Sequence, residues 1–69
     1  MENIGTRLKV EVTVFKPNGK PLCGRTSRAT GIEQAIKTSD RLKDWATRKV
    51  RVLELQNKVS YEYETVISF

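Results

Sequence analysis

Leu8-Lys9-Val10-Glu11-Val12-Thr13-Val14-Phe15, followed by Lys16-Pro17-Asn18-Gly19-Lys20, is the stretch that decides the fold. Leu8, Val10, Val12 and Val14 share one parity, and Lys9, Glu11 and Thr13 share the other. Such period-two alternation marks a strand with one buried face. It predicts a strand over residues 6–16, with Phe15 the single apolar side chain on the polar side. Lys16 to Lys20 then read as a three-residue hairpin loop. Pro17 presets φ at the first central position, Asn18 tolerates the second, and Gly19 takes the left-handed one. Closing the loop on Lys16 and Lys20 sets Leu22 opposite Val14 and starts a second strand over 21–28. Pro21 lacks a backbone donor, which suits an edge strand better than a central one.

Downstream, Thr30-Gly31-Ile32-Glu33 has the spacing of a helix capping box. Thr30 would accept from the Glu33 amide, and the Glu33 side chain would reach back to the Thr30 amide. Ile32, Ala35, Ile36, Ser39, Leu42 and Ala46 recur at helical spacing and predict a helix from 31 to 43–46 with this face inward. Two further strands are read at 48–56 and 59–68, joined around Asn57-Lys58. In the last, Val59, Tyr61, Tyr63, Ile67 and Phe69 alternate with polar residues and are set toward the helix. The opposite register would expose Tyr61 and Tyr63 as an aromatic platform. The 48–56 stretch is less regular: Val50 and Val52 occupy one parity, Leu53 and Leu55 the other. A bulge or burial on both faces would reconcile them. The expected fold is α+β, a small ββαββ domain in which an antiparallel sheet of about four strands carries one helix on one face. It forms a single domain over 1–69, with residues 1–5 a flexible N-terminus.

Sixty-nine residues leave little room for a core and a catalytic cavity together, because a chain this short buries only about 60% of its unfolded surface. The chain has no histidine and one cysteine, Cys23. A Cys/His zinc site within one chain and a Ser-His-Asp or Cys-His catalytic set are therefore excluded. No glycine-rich phosphate loop is present. Asp40 and Asp44 share a helix face but sit among Lys37, Arg41, Lys43 and Arg48, as a solvated salt-bridge lattice does. Cys23 has Arg25 nearby but no base or resolving cysteine, and is read as a structural thiol. Catalytic residues, cofactors and metals are accordingly not expected, and the chain is read as a non-enzymatic binding protein. No apolar run is long enough to span a membrane, no signal-peptide pattern opens the chain, and nothing pairs Cys23, which favours the cytoplasm.

Thirteen Lys/Arg against eight Asp/Glu give a net charge of +5, which serves solubility and also suits an anionic partner. The expected partner is an acidic protein surface, on a protein or a ribonucleoprotein. Direct, weakly sequence-specific nucleic-acid binding is the alternative. The candidate contact residues are Phe15, Arg25, Arg28, Arg41, Trp45 and Arg48. Trp45 lies off the apolar helix stripe and reads either as a binding anchor or as a seal at the helix end. The sheet edge at 21–28 offers strand addition, including to a second copy as a homodimer. In size, lone helix and basic sheet the chain resembles the small stand-alone inhibitors and regulators of bacteriophages. That resemblance is one of style; it carries no motif and gives no residue a role.

Overall fold

The computed structural model describes residues 7–68. The expected flexible N-terminus at 1–5 and the inward position of Phe69 lie outside them. The described residues form, in order, β1 (Arg7–Phe15), β2 (Pro21–Thr30), α1 (Ile32–Asn57) and β3 (Glu62–Ser68). The sheet order is β2-β1-β3, and β1 is antiparallel to both neighbours. β2 and β3 are therefore parallel to each other, and α1 makes the crossover between them.

The alternation in β1 is realised as read. Leu8, Val10, Val12 and Val14 are buried beneath the helix. On α1 they meet Ala35, Ser39, Leu42 and Ala46. Three of these four are small, so the helix backbone can approach the valine-lined strand closely. The other sheet face, with Lys9, Glu11, Thr13 and Phe15 along its centre, carries no second layer among the described residues.

The hairpin closes as expected: Gly19 donates its N–H to the Lys16 carbonyl and Lys16 donates to the Lys20 carbonyl, both at 2.8 Å. The register beyond it differs by one residue. A bulge sets Phe15 opposite Pro21 and Val14 opposite Cys23, not Leu22. Leu22 becomes the extra residue and is exposed. β2 is an edge strand, as Pro21 implied, and it extends to Thr30.

The helix departs furthest from expectation. It runs 26 residues, through the whole of the expected 48–56 strand, and among the described residues the sheet has three strands rather than four. The ββαββ order is thus corrected to ββαβ. The reason is periodicity: Ala46, Val50 and Leu53 continue the stripe of Ala35, Ser39 and Leu42. Val50 and Leu53 pack against the core while Val52 and Leu55 face out. The parity conflict that a strand could resolve only with a bulge does not arise in a helix. At about 1.5 Å per residue the helix is ~39 Å long, against ~30 Å for the nine residues of β1. The helix therefore overreaches the central strand beneath it.

Both helix ends are closed by unexpected groups. The N-cap is Gly31, at φ 82° and ψ 161°, with no side-chain cap. Thr30 is instead the last residue of β2, and its amide is satisfied by the Gln34 side-chain oxygen. The reach-back of a capping box is kept, one residue later than Glu33. At the other end Lys58 is left-handed, at φ 58°, and donates its N–H to the Glu54 carbonyl at 2.8 Å. The Glu54 carboxylate then accepts from the Tyr61 amide at 3.0 Å, tying the return segment to the helix.

β3 is shorter than expected, 62–68 rather than 59–68. Its register pairs Val14 with Tyr63, Val12 with Thr65 and Val10 with Ile67. Tyr63 and Ile67 thus face the helix side, as preferred from sequence, and Tyr61 packs against the core just before the strand. Ile32 and Ile36 do not join that core. They are 55% and 53% exposed: Ile36 lies off the stripe on the β3 side, and Ile32 stands in the first turn of α1.

Candidate functional site

The six candidate contact residues fall into three places. Trp45 is half-buried, with one side against the core cluster. Arg25, on the helix-facing side of β2, lies over its ring with the guanidinium carbon 4.7 Å from the ring centroid. Arg41 and Arg48 precede and follow Trp45 by four and three residues, so helix geometry sets all three in one row. Both arginines are exposed. The structure therefore joins Arg25, Arg41, Trp45 and Arg48 along the flank of α1 that faces β2. Arg28 is exposed on the open sheet face beside Lys9. Phe15 is on that face too, at the far end of β1 beside Glu62. Neither belongs to the Trp45 flank.

Val52, seven residues after Trp45, extends the same row and is exposed. Sequence reading missed it by assigning 48–56 to a strand; the uninterrupted 3.6-residue period through Val50 and Leu53 was the available signal. Asp44 forms an ion pair with Arg48 at 3.1 Å, with both side chains well exposed. Such a pair contributes at most about 1 kcal/mol, so Arg48 can exchange it for another carboxylate. The Arg25–Trp45 contact holds a flat, cationic, partly apolar surface in place, a geometry in which stacking adds about 0.5–1 kcal/mol at an exposed site.

Two other features bear on chemistry. A cleft of about 220 Å³ lies between the hairpin turn and the start of β3, lined by Lys16, Pro17, Gly19, Ser60 and Glu62. It is smaller than the roughly 300 Å³ at which ligand pockets begin. Among the described residues, no three His, Cys, Asp or Glu side chains come together to hold a metal ion, and no helix is long and apolar enough to cross a membrane. No protein-family model matches the chain, and comparison with curated proteins and with solved structures finds no similar protein.

Proposed function

We propose that this chain is a non-enzymatic binding protein that docks the β2-side flank of α1 onto an acidic protein surface, acting by occupancy as a regulator or inhibitor does. The observation that carries this reading is the Arg25–Trp45 stack between Arg41 and Arg48. An aromatic anchor ringed by arginines is the composition in which interface energy concentrates. The flank is already ordered by its own contacts, so binding would cost little rearrangement.

The same stack weighs against base-stacking as the mode of recognition, since one face of the indole ring is already taken by a guanidinium. Tyr61 and Tyr63 are on the helix side and form no platform on the open sheet face, where single-strand-binding sheets carry theirs. Direct nucleic-acid binding then rests on phosphate contacts alone.

The test is capture of a partner from lysate with and without nuclease, followed by titration of the purified pair. Arg41→Glu with Arg48→Glu should weaken binding by at least tenfold while leaving the melting curve unchanged. Retention only in untreated lysate, with affinity falling steeply between about 50 and 200 mM salt, would transfer the assignment to nucleic acid. Binding indifferent to both arginines would remove this surface from the function.

A further inference from the structure

β3 is the second edge of the sheet, and three observations about it converge. Thr65, the middle residue of the Glu62–Ser68 strand, has a buried hydroxyl with no hydrogen-bond partner among the described residues. Buried hydroxyls in folded proteins are almost always paired. Beside it, Tyr63 and Ile67 are 38% and 44% exposed on the helix-facing side. Ile36 lies eleven residues before Thr47, almost the same angular position on the helix, and the Thr47 hydroxyl is 3.3 Å from the Tyr63 hydroxyl. Ile32 and Ile36 therefore line the β3 flank of α1, at the end of the sheet where Ile67 lies. The edge is thus bordered by exposed apolar side chains at its Ile67 end, and the strand itself carries neither lysine nor proline, the guards free edges commonly have. Lys43, four residues before Thr47 on the same helix flank, is the nearby cation.

We propose that this edge binds a second copy of the chain: β3 pairs with β3 antiparallel about a two-fold axis at Thr65, giving a continuous six-stranded sheet. Self-pairing is favoured over an unrelated strand because the sequence is complementary to its own reverse. Centred on Thr65, all seven residues pair. Tyr63 falls opposite Ile67 of the other copy on the helix side, joining the two exposed apolar positions. Thr65 meets Thr65, and rotation about χ1 brings each hydroxyl out of its buried, unpartnered position onto the other, a cross-strand pairing that stabilises antiparallel sheets. On the open face Glu62 falls opposite Ser68 of the other copy, whose neighbour in the same row is Lys9 and then Arg28. The acidic end of each strand thereby abuts the basic corner of its mate, whereas centring on Glu64 would oppose like charges.

The paired strand and two helix rows amount to fewer residues than the roughly 20–30 a side of a standard interface. A reversible dimer with a dissociation constant on the order of micromolar is the corresponding expectation. The Trp45 flank is on the opposite edge and stays free, so this inference does not rest on the docking function proposed above.

Sedimentation equilibrium of the full chain, from about 1 µM to 1 mM, should show a monomer–dimer equilibrium. Ile67→Lys should weaken it at least tenfold with an unchanged far-ultraviolet spectrum, while Thr26→Lys, on the β2 edge, should not. In a Cys23→Ser background, Thr65→Cys should cross-link the dimer on mild oxidation, because directly opposed residues stand ~4.5–5.5 Å apart between α-carbons, within disulfide range. Thr26→Cys is the matched control. A monomer at every concentration overturns the proposal. So does a dimer that resists Ile67→Lys but is lost in Thr26→Lys, or one that the Thr26→Cys variant cross-links more readily than the Thr65→Cys variant.

Discussion

Gly31 and Lys58 both place their backbones at positive φ, and they do so with opposite chemistry. Gly31 combines φ 82° with ψ 161°, a region essentially confined to glycine, where other residues cost about 1–3 kcal/mol. Gly31→Ala should therefore lower unfolding stability by roughly that amount in a urea titration. Thr30→Ala should stay within about 0.5 kcal/mol, since Thr30 donates its backbone amide and caps nothing with its side chain. Lys58 adopts the left-handed C-cap without being a glycine. Its strain of about 1–2 kcal/mol exceeds the roughly 0.5–1 kcal/mol that glycine loses in chain entropy. Lys58→Gly should accordingly raise stability by about 0.5–1 kcal/mol in the same titration. At Trp45 the expected seal at the helix end is corrected in place: the ring packs against the core near the middle of α1 and carries Arg25 over one face.

At the scale of elements, β1, its turn and the Ala35, Ser39, Leu42 and Ala46 stripe of α1 were legible because each depends on local pattern alone. Val10 and Val12 needed only parity, and Leu42 and Ala46 only the helical period. The second half of α1 was not legible in the same way. Val50 and Val52 are β-branched and favour strands intrinsically, and this local preference competed with a period that neither glycine nor proline interrupts between Ile32 and Asn57. Packing of Val50 and Leu53 against the core decided the matter. The exposure of Ile32 and Ile36 was hidden for a different reason: Ile32 shares its helical row with the core-packed Val50, so periodicity does not encode that the first turn stands free. Of the candidate contact set, the Arg41–Trp45–Arg48 row was implicit in helix spacing. Its union with Arg25 depends on the β1–β2 register, and so on the bulge at Leu22. Two neighbouring leucines separate helix from strand experimentally. Leu53→Ala should cost about 1–3 kcal/mol, less than the roughly 2–5 kcal/mol of a fully buried leucine because Leu53 is half-buried. Leu55→Ala should be within about 0.5 kcal/mol, since it removes an exposed side chain and alanine favours helix.

The molecule as a whole is a long, thin two-layer slab, 48 × 19 × 11 Å between α-carbons. Its radius of gyration is 13.8 Å, against about 11 Å for a compact chain of this length. Such a shape has a high ratio of surface to core. If two copies pair through β3, the melting temperature of the wild-type chain should rise with protein concentration, because binding to the native state alone stabilises it by mass action. Calorimetry over a hundredfold range should show that rise, and Ile67→Lys should abolish it. Pairing would also set two Trp45 flanks on opposite edges of one six-stranded sheet, ~24 Å apart at about 4.8 Å per strand. A partner with repeated acidic sites could then engage both and gain avidity without any new contact.

The placement of β3 has a consequence for synthesis. β1 lies at the centre of the sheet, but only one of its two neighbours adjoins it in sequence. Residue 62 leaves the ribosome 47 residues after residue 15, the end of β1. At about 5–20 residues per second that interval is roughly 2–9 s, far longer than the microseconds in which a hairpin closes. During it, the β1–β2 hairpin and the growing helix are available while one hydrogen-bonding edge of the valine strand stays bare. On a polysome, where several nascent chains stand close together, that vacant slot is the one β3 normally occupies. A β3 emerging from a neighbouring chain could fill it first, so the order of elements makes strand exchange during translation the characteristic way for this fold to go wrong.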